Sequence, residues 1–379
     1  MERKRIYLSS PTMHGEEQAF VQSAFDTNWV APLGPNVDAF EKEMADYIGG
    51  GYAAALSAGT AAIHLAVILA GVKEGDVVFA QSLTFAASVN PACYEKAKPV
   101  FIDSEPDTWN MDPVALEKAF EKYPHPAAVI AVHLYGTPSK IDRIRDICKK
   151  HQVPLIEDAA EALGSSFQGQ KLGTFGDYGI LSFNGNKIIT SSGGGMLLCS
   201  DEAKIKRARF LATQARDPAR YYQHSTIGYN YRMSNVVAGI GRGQLLHLEE
   251  HKARKNEIYR QYKEAFADIE AITMNPMNPM NPDGDANNWL SCMTIAPDCS
   301  VTPDQVMDVL AEYNIETRPI WKPMHLQPVF ADCDFIQVKE GRSVSEDIFN
   351  RGVCLPSDIK NTPEDMELII SLIRKVFEK

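Results

Sequence analysis

Short apolar runs recur through the first half of the chain, at Val77 to Ala80, Val100 to Asp103, Val129 to Leu134, Leu155 to Asp158 and Ile180 to Phe183, with helix-like stretches between several of them. Runs this short, bounded by turn residues, are strand-sized. The alternation predicts an α/β fold on a mostly parallel sheet, because parallel neighbours need a crossover between them. Such sheets are covered on both faces and bind ligands beyond the carboxyl ends of their strands. Reactive residues are therefore expected at those ends.

Around these runs the helical signals are regular. Phe40, Met44, Tyr47 and Ile48 fall on one helix face before Gly49-Gly50-Gly51, and a second helix from Thr60 to Ala70 should end at Gly71. A long charged helical stretch runs from Gln244 to Phe266 and is expected to bridge to a smaller domain. The division expected is residues 1–243, an N-terminal arm and large domain, and 244–379, a bridging helix and small C-terminal domain. Met-Asn-Pro occurs three times between Met274 and Pro282. Proline at every third residue forbids a regular helix or central strand, so an irregular surface loop is expected there.

Bulk properties remove some functions. The 379 residues are 45% hydrophobic and 23% charged with a formal net charge of −11, which is ordinary for a soluble globular protein and wrong for a general nucleic-acid binder. Seven scattered cysteines without a CxxC pair suggest neither zinc nor a redox dithiol, and fit a reducing cytoplasm. No apolar stretch follows the charged start Met1 to Leu8, and none elsewhere is long enough to span a bilayer. A cytoplasmic location without a membrane partner is the expectation.

Two strand ends carry the chemistry. Lys187 stands in Ser182-Phe183-Asn184-Gly185-Asn186-Lys187, and Asp158 closes the run beginning at Leu155. An amine and a carboxylate so placed suit pyridoxal 5'-phosphate (PLP): the amine bonds the aldehyde and the carboxylate keeps the pyridine nitrogen protonated. Ser57-Ala58-Gly59-Thr60-Ala61 precedes a helix whose N-terminus would face a phosphate, Phe85 has a ring suited to covering a flat cofactor, and Glu161 lies within reach of the ring oxygen. Each has a plainer reading: a tight turn, a core ring, a helix-start carboxylate. Their coincidence at one sheet edge makes the cofactor reading stronger. Farther on, Ser234 or Asn235 can cap a helix, leaving Asn230 and Arg232 to bind phosphate or a partner subunit.

With these motifs in order, the chain resembles the DegT/DnrJ/EryC1/StrS sugar aminotransferases. The likeness runs from Trp29 to Gly34 through Ser57, Glu157 to Gly164, the Lys187 motif, Asn230-Tyr231-Arg232 and Arg318 to Trp321. It implies the aspartate-aminotransferase-like, type I PLP fold: a large domain with a mostly parallel seven-stranded sheet and a smaller C-terminal α+β domain. It further implies that Gly59, Thr60 and Ser182 hold the phosphate, Phe85 covers the ring, Asp158 meets the pyridine nitrogen with Ala160 beside it, and Glu161 approaches the phenolic oxygen. Lys187 is implied as the catalytic amine. Asn230 would reach the phosphate of a neighbouring subunit, making a homodimer with shared sites. Trp321, Lys322 and His325 are the substrate-side candidates.

Within the family the likeness is to the UDP-N-acetylbacillosamine branch, which implies L-glutamate as donor and a UDP-linked 4-keto-6-deoxy-N-acetylglucosamine as acceptor. Glu161 stands where many relatives have glutamine. Lys187 sets the chain apart from a related dehydratase branch that has histidine there. A dTDP-linked keto hexose is the alternative acceptor, and a non-catalytic PLP-binding regulator the alternative of another class.

Overall fold

The structure is a computed structural model describing residues 4–276 and 285–378. Its strands are β1 (Tyr52–Leu56), β2 (Val77–Gln81), β3 (Lys98–Ile102), β4 (Ala128–Val132), β5 (Leu155–Asp158), β6 (Ser166–Phe167), β7 (Gln170–Lys171), β8 (Tyr178–Ser182), β9 (Gly195–Cys199), β10 (Ile272–Met274), β11 (Ser291–Ile295), β12 (Arg318–Pro319), β13 (Phe335–Ile336) and β14 (Gly352–Leu355). The large sheet has the order β1-β9-β8-β5-β4-β2-β3-β13. Every pair from β8 through β13 is parallel, and β9 runs antiparallel to both its neighbours. The expected seven strands are present, widened by an eighth: β13, from the C-terminal part of the chain, pairs with β3. Two residues of strand give no periodic signal, so the sequence did not reveal it.

Both faces of this sheet are covered. Phe79, Val129 and Leu181 enter one buried cluster, while Val78, Ile130 and Ile180 enter another on the opposite side. The period-2 alternation of a strand separates these sets, and burial on both faces explains why the runs read as continuously apolar. Antiparallel β10-β11-β14-β12 forms the second sheet, with a core of its own around Tyr262, Met293, Leu310 and Ile369. Among the described residues, no helix is long and apolar enough to cross a membrane.

Several expectations change in detail. The stretch from Gln244 to Phe266 is not one helix: Asn235–Leu245 ends, His247 N–H donates to the Gln244 carbonyl in a tight turn, and Leu248–Ala265 begins. Since residue 243 lies inside the first of these helices, we propose the division at the Leu246-His247 turn instead. The N-terminal arm also belongs elsewhere than expected. Ile6 bridges to Ile315 and is buried in the core of the small sheet, and Leu8 N–H donates to Glu316. Of the Met-Asn-Pro repeats, the first is no loose loop, because Met274 ends β10 and Asn275 is buried, accepting from Cys292 N–H at 2.9 Å. Residues 277–284, which hold the other two, lie outside the described residues.

One joint ties the two sheets together. Asn287, just before β11, donates through its amide to the carbonyls of Glu161 and Leu163, at 3.0 and 2.9 Å. Gly136 packs so closely there that a Cβ would sit 1.8 Å from Asn287 Oδ1, and its φ is +92°. Only glycine accommodates both demands. Gly136→Ala is therefore expected to destabilise the fold by roughly 2 kcal/mol or more, read as a lower urea midpoint; an unchanged midpoint would contradict this account of the joint.

Candidate active site

Parallel strands end on one edge of their sheet, so the residues following β1, β2, β5 and β8 converge there. They line a cavity of about 410 Å³ together with residues from the small-sheet side. Gly59, Thr60, Phe85, Asp158, Ala160, Glu161, Ser182, Lys187 and Trp321 all reach it. Asn230, Lys322 and His325 do not line it.

Asp158 is the last residue of β5 and is 4% exposed. Its Oδ1 accepts from Ala160 N–H at 3.1 Å and its Oδ2 from the Ser88 hydroxyl at 2.7 Å, and Ser88 is in turn 2.8 Å from Thr84 Oγ1. A buried carboxylate needs such partners to stay fixed. Ser88 and Thr84 carry no sequence signal of their own. They are found only because the turn after β2 folds under the end of β5.

Lys187 sits on the turn after β8, its Nζ 3.5 Å from Glu161 Oε1 and 4.1 Å from the centre of the Trp289 ring. Trp289, 1% exposed, also donates its indole N–H to the Asn186 carbonyl at 2.7 Å. The amine is thus held between a carboxylate and an aromatic face. Trp289 was not anticipated, because the loop preceding it gives no hint that the chain returns to the sheet edge.

Burial raises the Glu161 carboxyl above its usual range, against the opposing pull of the Lys187 ammonium and the Tyr135 N–H. That N–H donates to Glu161 Oε2 at 2.7 Å, and Tyr135 adopts a left-handed backbone (φ 54°). The Trp321 indole N–H faces the same carboxyl without closing a hydrogen bond. Phe85 is 55% exposed, so it is no core ring; it lies 5.6 Å from Trp321 at the cavity wall.

The helix Gly59–Leu69 starts at the cavity with no side-chain cap. Its first N–H groups are the ready partners of an anion. Gly59 packs on Ser182, whose Cβ would lie 3.2 Å from a side chain placed there. A bare helix N-terminus for a phosphate, a buried carboxylate for a protonated ring nitrogen, an amine for an aldehyde and an open aromatic face are the donor set that PLP asks for. The residues fit the cofactor.

Some expected contacts fall elsewhere. Both His325 ring nitrogens are engaged, with Ser82 Oγ at 2.6 Å and Glu346 Oε1 at 3.0 Å, and its ring stacks on Phe335. It packs the β13 edge, where β13 itself was unforeseen. Lys322 is exposed outside the cavity. Arg232 is not free for a phosphate: it pairs with buried Glu41 at 2.7 Å and donates to the Ala55 carbonyl. Asn230 is exposed and bridges to Thr213. Ser234 caps its helix, whereas Asn235 accepts from Asn36 and Val37 at the start of another, Pro35–Tyr47.

Fold and cavity together define one enzyme class, the PLP-dependent aminotransferases. The match to the DegT/DnrJ/EryC1/StrS aminotransferase family spans residues 11–374, and the chain belongs to that family. It is 51% identical to the putative pyridoxal phosphate-dependent aminotransferase EpsN of Bacillus subtilis, over 99% of this chain and 96% of that one. It is 35% identical to the GDP-perosamine synthase of Caulobacter vibrioides, over 98% of both chains. Among solved structures, the aminotransferase TlmJ of Streptoalloteichus hindustanus superposes with a TM-score of 0.89 at 27% identity, over 99% of each chain.

Two predictions follow from the cavity's polar groups. Ser88→Ala removes the 2.7 Å hydrogen bond to Asp158; about 1 kcal/mol of that interaction should be lost, read as several-fold weaker PLP binding with an unchanged circular dichroism spectrum. Glu161 holds its proton more tightly folded than unfolded. Its contribution to stability is therefore full below its unfolded pKa and is lost as pH rises through the raised folded value. In cofactor-free protein, Glu161→Gln should flatten that part of the stability curve, and a curve identical to wild type would overturn the assignment.

Proposed function

We propose that this aminotransferase moves an amino group from L-glutamate to C4 of a UDP-linked 4-keto-6-deoxy-N-acetylglucosamine, giving a UDP-4-amino sugar. The observation that carries the reading is the Lys187 amine, 3.5 Å from the Glu161 carboxylate in the cavity that Asp158 also lines. When bound, PLP supplies an aldehyde that accepts the amino group and a ring that takes up the electrons released at the donor carbon.

The chain's own residues do the rest. Lys187 Nζ serves as the base that takes a proton from the donor carbon and the acid that returns one at the acceptor carbon. Asp158, fixed by Ser88 and Ala160, holds the proton on the ring nitrogen. The N–H groups at Gly59 and Thr60, with the Ser182 hydroxyl, bind the phosphate. Phe85 covers the ring, and Trp321 beside it offers a flat face to the sugar. Asn230, exposed and away from this chain's cavity, is proposed to complete the site of a second copy in a homodimer.

A second reading concerns the nucleotide. The GDP-perosamine synthases of Caulobacter vibrioides and Escherichia coli O157:H7 are 35% and 34% identical to this chain, which supports a GDP-linked acceptor beside the UDP- and dTDP-linked ones. Purified protein should be given glutamate with UDP-, GDP- and dTDP-linked 4-keto-6-deoxy sugars side by side, and the products identified by mass spectrometry and NMR. Amination of the UDP sugar with the highest kcat/KM is expected. Preference for the GDP sugar would replace the nucleotide, and no amination of any would overturn the sugar reading.

Lys187→Ala should reduce turnover by at least about a thousand-fold and abolish the pyridoxyl adduct formed by borohydride, with the fold retained. Normal transamination by this variant would remove Lys187 from the mechanism.

A further inference from the structure

Away from the cavity, three imidazoles meet where the segment after Thr12 crosses the start of the helix Leu248–Ala265. His14 Nε2 and His251 Nε2 face each other at 2.7 Å. His14 also stacks on His247, with centroids 3.7 Å apart and rings 6° from parallel. His247 Nδ1 is 3.1 Å from Glu250 Oε2, and donor atoms of His14, His247 and Glu250 lie within 4.8 Å of one another. His247 and His251 are spaced i, i+4, which puts them on one face of the helix.

The hydrogen bonds fix the protonation of the central pair. His251 Nδ1 lies 2.8 Å from the Ile188 carbonyl, which can only accept, so Nδ1 carries the hydrogen and neutral His251 presents the Nε2 lone pair. This is the arrangement of a metal-binding histidine, whose second nitrogen donates to a backbone carbonyl and so sets ring and tautomer. His14 fills that lone pair with its own N–H. A cation in place of that proton would meet two lone pairs, with His14 shifting its hydrogen to Nδ1 and no proton left over.

We propose that His14 and His251 bind a divalent transition metal of the zinc type, with Glu250 and His247, whose donor atoms lie within 4.8 Å of each other and of His14, as the further ligands, and that the ion fastens the N-terminal segment to the helix Leu248–Ala265. Two imidazole nitrogens on one tetrahedral zinc lie about 3.3 Å apart, given Zn–N bonds of about 2.0–2.1 Å. His14 and His251 therefore need to separate by roughly 0.6 Å. Parallel stacked rings cannot aim both lone pairs at one ion, so His247 joins only after one ring has turned. Glu250 and Glu16, both in contact with His247, supply negative charge for the cation. Imidazole and carboxylate donors favour zinc, nickel or copper over magnesium or calcium.

The site is structural rather than catalytic in this account. Its link to the active site is the Ile188 carbonyl, one residue beyond Lys187. The test uses tag-free holoenzyme, stripped with EDTA and titrated with Zn²⁺ by calorimetry and with Co²⁺ by visible absorption at neutral pH. One saturable equivalent is expected, with the intense absorption of tetrahedral cobalt and a rise in unfolding temperature. His14→Ala, on the half-buried arm, should weaken binding at least about tenfold and remove the thermal effect. Glu250→Gln, at an exposed position, should weaken it too and guards against misfolding of the first variant. Absence of saturable binding would overturn the proposal. So would binding whose affinity in both variants equals that of the wild type, since the ion would then sit on cysteines or cofactor.

Discussion

Strand β5 sets the constraint on which the rest depends, because its last two residues are adjacent carboxylates that must point to opposite faces of the sheet. Glu157 is fully buried and accepts from Gly173, Phe175 and Gly176 N–H groups, with His133 Nε2 2.8 Å away. Those bonds fold the segment before β8 against β5. Asp158 points the other way, into the cavity. One residue of register slip would exchange the two, placing Glu157 at the cavity and Asp158 against the loop.

The site's second determinant comes from outside the large sheet. Glu161 is oriented by Tyr135 N–H, and its carbonyl is gripped by Asn287, which precedes Trp289 and β11. Trp289 and Trp321 flank Tyr135 in a near-parallel series, with centroids 6.3 and 6.2 Å from it. The Tyr135 hydroxyl accepts from Trp321 N–H at 3.1 Å. The small-sheet part therefore supplies the aromatic walls around Lys187, while the large sheet supplies its charges. A left-handed Tyr135 is an uncommon backbone state, and here it is held by hydrogen bonds at both ends of the residue.

Much of this was legible before the fold was known. Two-face burial wrote β2, β4, β5 and β8 into the sequence as apolar runs, and their ends located Asp158 and Ser182. Lys187 was legible only in company with Asp158, as an amine a few residues beyond one strand end matched to a carboxylate at an earlier one. The uncapped start of the helix Gly59–Leu69 was visible as small residues before a helix, since a bare N-terminus needs no bulky side chain. Ser88, Thr84 and Trp289 were not legible: a hydroxyl or an indole acquires meaning only from what folds against it. His325 and Arg232 had chemistry that suits a substrate or a phosphate, but Glu346, Ser82 and Glu41 claim their polar atoms first.

The sequence by itself determined the fold class, the apolar runs that become β2, β3, β4, β5 and β8, and the amine and carboxylate that stand at or beyond two of their ends, because these follow from local periodicity and from chemistry carried within single residues. Tertiary structure alone decided which carboxylate partners the lysine at 3.5 Å, which serine steadies Asp158, where the N-terminal arm packs and that β13 joins the large sheet. Those outcomes rest on contacts between residues distant along the chain, whose energies depend on separation in space. No local pattern records that separation.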